Sequence, residues 1–93
     1  MSIQPLQQEL TIQNKFGFHT RTSARFAKTA LTFQSTVTIQ KGEETVDGKS
    51  ILDLLTLAAG QGTKVVLTVT GYDQEQAFAA LKELIETGFG EEK

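Results

Sequence analysis

The hydrophobic period of this chain switches repeatedly between two residues and about 3.6, and the order of the switches leaves few folds open. Leu6, Gln8, Leu10 and Ile12 alternate with Gln7, Glu9, Thr11 and Gln13, the pattern of a half-buried strand. Asn14-Lys15-Phe16-Gly17 breaks it, and Gly17 can take a backbone angle that other residues resist. From about Thr22, Phe26, Ala27, Ala30 and Phe33 recur at helical spacing, with Arg21, Arg25 and Lys28 on the other side. This helix is expected to end near Phe33 or Gln34. Thr36 to Gln40 alternates again with Val37 and Ile39 inward, KGEE makes a hairpin turn, and a short return strand centres on Val46. Ser50 then precedes ILDLLTLAA. Asp53 stands three residues on, at capping-box spacing, although Glu or Gln is the usual partner. Gly60 and Gly62 are expected to end this second helix. KVVLTVT puts Val65, Leu67 and Val69 on one face, and Asp73 with Gln76 reads as another cap pair. The last helix carries a stripe of Ala77, Phe78, Leu81, Leu84 and Ile85 and stops at Gly88.

The order is therefore strand, helix, strand, strand, helix, strand, helix. Every strand alternates, so one face of the sheet is wet, and every long helix has one apolar stripe. That combination predicts an α+β fold with helices covering one face of a largely antiparallel sheet. A chain of 93 residues fits one domain, residues 1–93. Its net charge of −2 gives no general attraction to nucleic acid or to an anionic membrane. Cysteine is absent, which excludes disulfides and thiolate metal sites. MSIQPLQQEL has neither the basic nor the apolar segment of a secretion signal. ILDLLTLAA is too short to span a bilayer and carries Asp53. The expectation is a cytoplasmic monomer with no cofactor and no metal.

Two features stand out from that background. The only histidine, His19, lies at the mouth of the first helix, two residues before Arg21. A lone histidine in a polar loop is ordinarily just a solvated side chain, and Arg25 and Lys28 could equally be the wet face of a helix. Their spacing from Arg21 nonetheless lines three cations along one face, where an acidic partner could dock. The second helix is apolar nearly all round, and so short a helix can hardly hide every face. Ile51, Leu52 and Leu55 are expected to be partly exposed and to form the apolar centre of a docking surface. Ser50 reads first as a helix cap. No glycine-rich nucleotide loop is present.

GFHTRT leading into a helix, then DGKSILDLLTLAAGQG, then a strand and a last helix ending GFGE, resembles the HPr family of phosphocarrier proteins along nearly the whole chain. The resemblance implies an open-faced β-sandwich: a four-stranded antiparallel sheet covered on one face by three helices. It also implies a carrier rather than an enzyme. Such a protein accepts a phosphoryl group from the first enzyme of the phosphoenolpyruvate-dependent phosphotransferase system and passes it to a downstream acceptor protein. His19 would be the phosphoryl acceptor and Arg21 the phosphate-stabilising donor. Thr20, Arg25, Lys28, Lys49, Ile51, Leu52 and Leu55 would contact partners. Ser50 would be the candidate for regulatory phosphorylation, by a serine kinase/phosphorylase. An alternative is a regulatory interaction domain of the same fold that works through Ser50 and the second-helix patch with His19 unused. The usual His-x-Arg-Pro becomes His19-Thr20-Arg21-Thr22 here, which predicts a looser backbone at the site. NKFGFHTR and LTLAAGQGT resemble the nitrogen-regulatory branch of the family.

Overall fold

Alternation and helical stripes become strands and helices in the expected order in the computed structural model, which describes residues 4–91. Strands β1 (Leu6–Thr11), β2 (Thr36–Lys41), β3 (Glu44–Asp47) and β4 (Lys64–Thr70) make one sheet in the order β1-β4-β2-β3. All three pairings are antiparallel. Helices α1 (Thr20–Leu31), α2 (Ile51–Leu57) and α3 (Gln74–Glu86) supply the other layer, followed by a 3₁₀ turn at Gly88–Gly90. The inward residues of the central strands, Val37, Ile39, Val65, Leu67 and Val69, are buried, as are Phe26, Ala27 and Ala30 of α1 and Ala77, Leu81 and Ile85 of α3. The open face carries threonine, glutamine and charged side chains, including a Gln7–Thr68 hydrogen bond of 2.9 Å across β1 and β4.

Several boundaries differ from the expectation, each for a physical reason. Helix α1 starts at Thr20 rather than Thr22, because His19 is extended (φ −104°, ψ −173°) and its carbonyl already accepts the Ser23 N–H at 2.8 Å. The helix ends at Leu31, and Phe33 packs against the core from beyond it. Helix α2 is closed by Ala58 in the left-handed region (φ 54°, ψ 42°), ahead of Gly60 and Gly62. The chain has to leave the helix there, because Ala59 is buried and its carbonyl accepts the Phe18 N–H at 3.1 Å. Ser50 does cap α2, its Oγ accepting the Asp53 N–H at 3.1 Å, but the capping box is only half formed. The Asp53 carboxylate turns instead to the Asp47 N–H, at 3.3 Å. Asp73 makes no side-chain cap on α3. It reaches across to the start of β2, accepting from the Gln34 N–H, the Ser35 N–H and the Ser35 hydroxyl at 2.9, 3.0 and 2.6 Å. The Ser35 hydroxyl, and then the Gln34 N–H, hold its carboxyl below the usual range.

Candidate functional site

The loop between β1 and α1 is held by its neighbours before His19 is reached. Gly17 adopts φ +59°, and a Cβ there would lie 2.0 Å from the Ala59 carbonyl oxygen, so only glycine fits. Phe18 turns inward and meets the rings of Phe26 and Phe89 edge-on, with centroids 5.5 and 5.6 Å away. His19 follows directly as the N-cap of α1. Its side chain is 30% exposed, enough for an incoming group to reach it.

Thr22 answers the question raised by the missing proline. It is the third residue of α1, not the first, and its hydroxyl accepts the His19 N–H at 3.0 Å while donating to the Gly17 carbonyl at 2.6 Å. That is a capping box with threonine in the place of Glu or Gln. The expected loosening is therefore corrected: the hydroxyl ties His19 and Gly17 to the helix.

The two imidazole nitrogens have different surroundings. Nδ1 accepts the Arg21 backbone N–H at 3.3 Å and so keeps a lone pair at the helix mouth. Nε2 lies 2.9 and 3.1 Å from the two carboxylate oxygens of Glu91 and so carries the proton. Arg21 closes the group, its Nε and Nη2 donating to Glu91 Oε2 at 3.0 and 2.6 Å. Glu91 is 17% exposed, and its carboxyl is held down to about 2, first by the bond from His19 and then by Arg21 and Asn14. The negative charge beside His19 is thus present throughout the neutral range.

Glu91 reaches this position through the chain's last described turn. Gly88, Phe89 and Gly90 all have positive φ, which wraps the segment back over α1. Phe89 is buried, and its carbonyl accepts from Arg25 Nη1 at 2.8 Å. His19, Arg21 and Glu91 then line an open cleft of about 510 Å³ with Lys15 and the exposed ring of Phe16.

The remaining candidates are distributed around this centre. Thr20, Arg25 and Lys28 are exposed on α1, and Arg25 also donates to the Phe89 carbonyl. On α2, Leu52 is 70% exposed and Ile51 39%, and Leu55 is half-buried, while Leu54 and Leu57 face the core. Lys49 donates to the Phe33 carbonyl at 2.9 Å and so also steadies the α1–β2 connection. Among the described residues no cluster of His, Cys, Asp and Glu could hold a metal ion. Sequence reasoning missed Asn14, Phe16 and Glu91. Phe16 carried a faint signal, an aromatic in an otherwise polar break, and Glu91 another, two glycines flanking an aromatic after the last helix.

A small α+β domain that presents an imidazole, an arginine fork and a helix N-terminus in one open cleft has the parts that suit a protein carrying a phosphoryl group. Residues 6–87 match the family described as PTS HPr component phosphorylation site, and the chain belongs to that family, the HPr phosphocarriers of the phosphotransferase system. It is 44% identical over 86 residues to phosphocarrier protein HPr of Neisseria meningitidis serogroup A, covering 92% of this chain and 97% of that one. It is 35% identical over 86 residues to phosphocarrier protein NPr of Shewanella violacea, covering 92% and 94%. The crystal structure of HPr-C-His from Thermoanaerobacter tengcongensis superposes with a TM-score of 0.90 at 40% identity, over 95% of this chain and 99% of that one. The chain is therefore a phosphocarrier working with enzymes of the phosphotransferase system, not a turnover enzyme. No helix among the described residues is long and apolar enough to cross a membrane.

Proposed function

We propose that His19 Nδ1 is the atom that accepts the phosphoryl group. The observation that carries this is the split of the imidazole: Nε2 is committed to Glu91, and Nδ1 is left with its lone pair at the N-terminus of α1. A helix N-terminus carries backbone N–H groups without intrahelical acceptors and the positive end of the dipole, both suited to a phosphate. In the transfer, the Nδ1 lone pair attacks phosphorus, and the Nδ1–P bond forms as the bond to the donor breaks. The donor keeps the electron pair of that bond. The ring gains positive charge, which the Glu91 carboxylate balances across Nε2–H. Arg21 lies 80% exposed at the cleft, and its remaining N–H groups are available to the equatorial phosphate oxygens. The reverse step delivers the group to the acceptor.

The domain works in the cytoplasm as a single unit between the first enzyme of the phosphotransferase system and a downstream acceptor protein. Both dock over Thr20, the exposed cations of α1 and the apolar pair Ile51 and Leu52. Phosphorylation of Ser50 would weaken that docking by placing charge beside the patch. The test is direct. Incubation with the first enzyme and phosphoenolpyruvate should label the protein with an acid-labile, base-stable phosphate, and His19→Ala should remain unlabelled. A labelled His19→Ala with the same lability overturns the assignment.

A further inference from the structure

Asn14 is fully buried in the loop that follows β1, three residues beyond Thr11, and its role is not obvious from packing. Its Nδ2 donates two hydrogen bonds, to the Gly17 carbonyl at 2.9 Å and to Glu91 Oε1 at 3.1 Å. Its Oδ1 has no protein partner although it too is buried. The amide cannot be turned round, because that would set Oδ1 against two acceptors, the Gly17 carbonyl and the Glu91 carboxylate. An apolar residue would spare the interior an unpaired oxygen. What the amide does, and an apolar side chain could not, is grip the two things that frame His19: the loop that leads into it and the carboxylate that faces its ring.

We propose that Asn14 is a positioning residue for phosphoryl acceptance, acting through Glu91. Its amide holds Oε1 so that the carboxylate meets His19 Nε2 and Arg21 at once, and the imidazole is thereby clamped with Nδ1 toward the helix mouth. Glu91 needs such a holder. It stands on a turn that follows the last helix, and its other two partners, His19 and Arg21, are the very groups that must engage the incoming phosphate. Asn14 is the one partner of Glu91 among the described residues that lies in the interior and takes no part in the transfer. This rests on the reading of His19 as the acceptor.

A purely structural role for Asn14, through Gly17 alone, makes a different prediction, and a double-mutant cycle separates the two. Single-turnover phosphorylation by the phosphorylated first enzyme is measured for Asn14→Ala, Glu91→Ala and the double variant. Acting through Glu91, Asn14→Ala slows transfer about tenfold when Glu91 is present and has no further effect when Glu91 is already alanine. An equal slowing in both backgrounds overturns the proposal. The second readout needs no phosphoryl donor. Because the chain has one histidine, its Nε2–H proton can be followed by ¹H–¹⁵N NMR without ambiguity. That proton should exchange slowly in the parent protein and become fast in Asn14→Ala, as in Glu91→Ala. Slow exchange retained in Asn14→Ala also overturns the proposal. Should Asn14→Ala fail to fold, Asn14→Ser, too short to reach Glu91, runs the same cycle. An error in the choice of acceptor shows separately, as labelling of His19→Ala.

Discussion

Replacing Thr22 by valine isolates the device that stands where a proline is usual. Valine matches threonine in shape, so the 1% exposed site stays filled while the hydroxyl is lost. The two short bonds disappear, from the His19 N–H at 3.0 Å and to the Gly17 carbonyl at 2.6 Å, along with a longer contact to the His19 carbonyl at 3.3 Å. The cost depends on whether those groups are then orphaned, and neither is. The Gly17 carbonyl still accepts from Asn14 Nδ2 and from the His19 N–H, and that same bond keeps the N–H occupied, at 3.1 Å. The penalty should therefore be that of a lost cap, about 1 kcal/mol, and not the roughly 3 kcal/mol at which a stranded buried group can reach its upper cost. For a domain of this size each kcal/mol lowers Tm by roughly 4–8 °C, which calorimetry resolves easily. Because His19 is the residue tied down, phosphotransfer should slow as well, and Thr22→Ser should restore both. An unchanged Tm in Thr22→Val would refute the capping argument. A loss well above the cap range would show that the hydroxyl was the sole partner of a buried group.

Arg21→Ala should slow phosphotransfer more than tenfold, a loss of about 1.4 kcal/mol or more in the transition state, with little change in Tm; equal rates would remove Arg21 from the site. Leu52→Asp should keep its melting curve and raise KM with the first enzyme, whereas Leu54→Asp, at a position with no exposure, should fail to fold. Ser50→Ala should cost about 1 kcal/mol through the lost cap on α2, and Ser50→Asp should stay folded and raise KM for the carrier; unchanged kinetics would leave Ser50 as a cap alone. The Glu91 carboxyl is depressed from its ordinary value of 4.5 to about 2 on folding, so its contribution to stability is fully present above that ordinary value and is lost as pH falls through about 2. Carboxyl ¹³C NMR should place its midpoint well below the ordinary carboxylate range, and an ordinary midpoint would show that the contact with His19 is absent in solution.

Period and capping chemistry determined the order of elements, the inward faces of β2, β4 and α3, the hairpin after β2 and the place of His19 at a helix mouth. Each is a local matter: side-chain direction repeats with the backbone, and a cap acts on N–H groups within one turn. Ends of elements were less legible because they answered to distant contacts. Ala58, not a glycine, closes α2 since the next carbonyl is needed by Phe18, and Asp73 leaves its own helix because Ser35 lies opposite. The exposure of Ile51 and Leu52 followed from a helix apolar all round and too short to hide every face, whereas the burial of Leu54 and Leu57 was decided by the packing against α1 and the sheet. The deepest part of the site was not in the sequence pattern at all. Glu91 meets His19 across 72 positions of chain, held by an asparagine in the loop after β1 and by a turn anchored on Phe89. No spacing rule encodes such a meeting. It arises only when the sheet, α1 and the turn after α3 share one core, and it is this meeting that leaves Nδ1, not Nε2, unprotonated at the helix mouth.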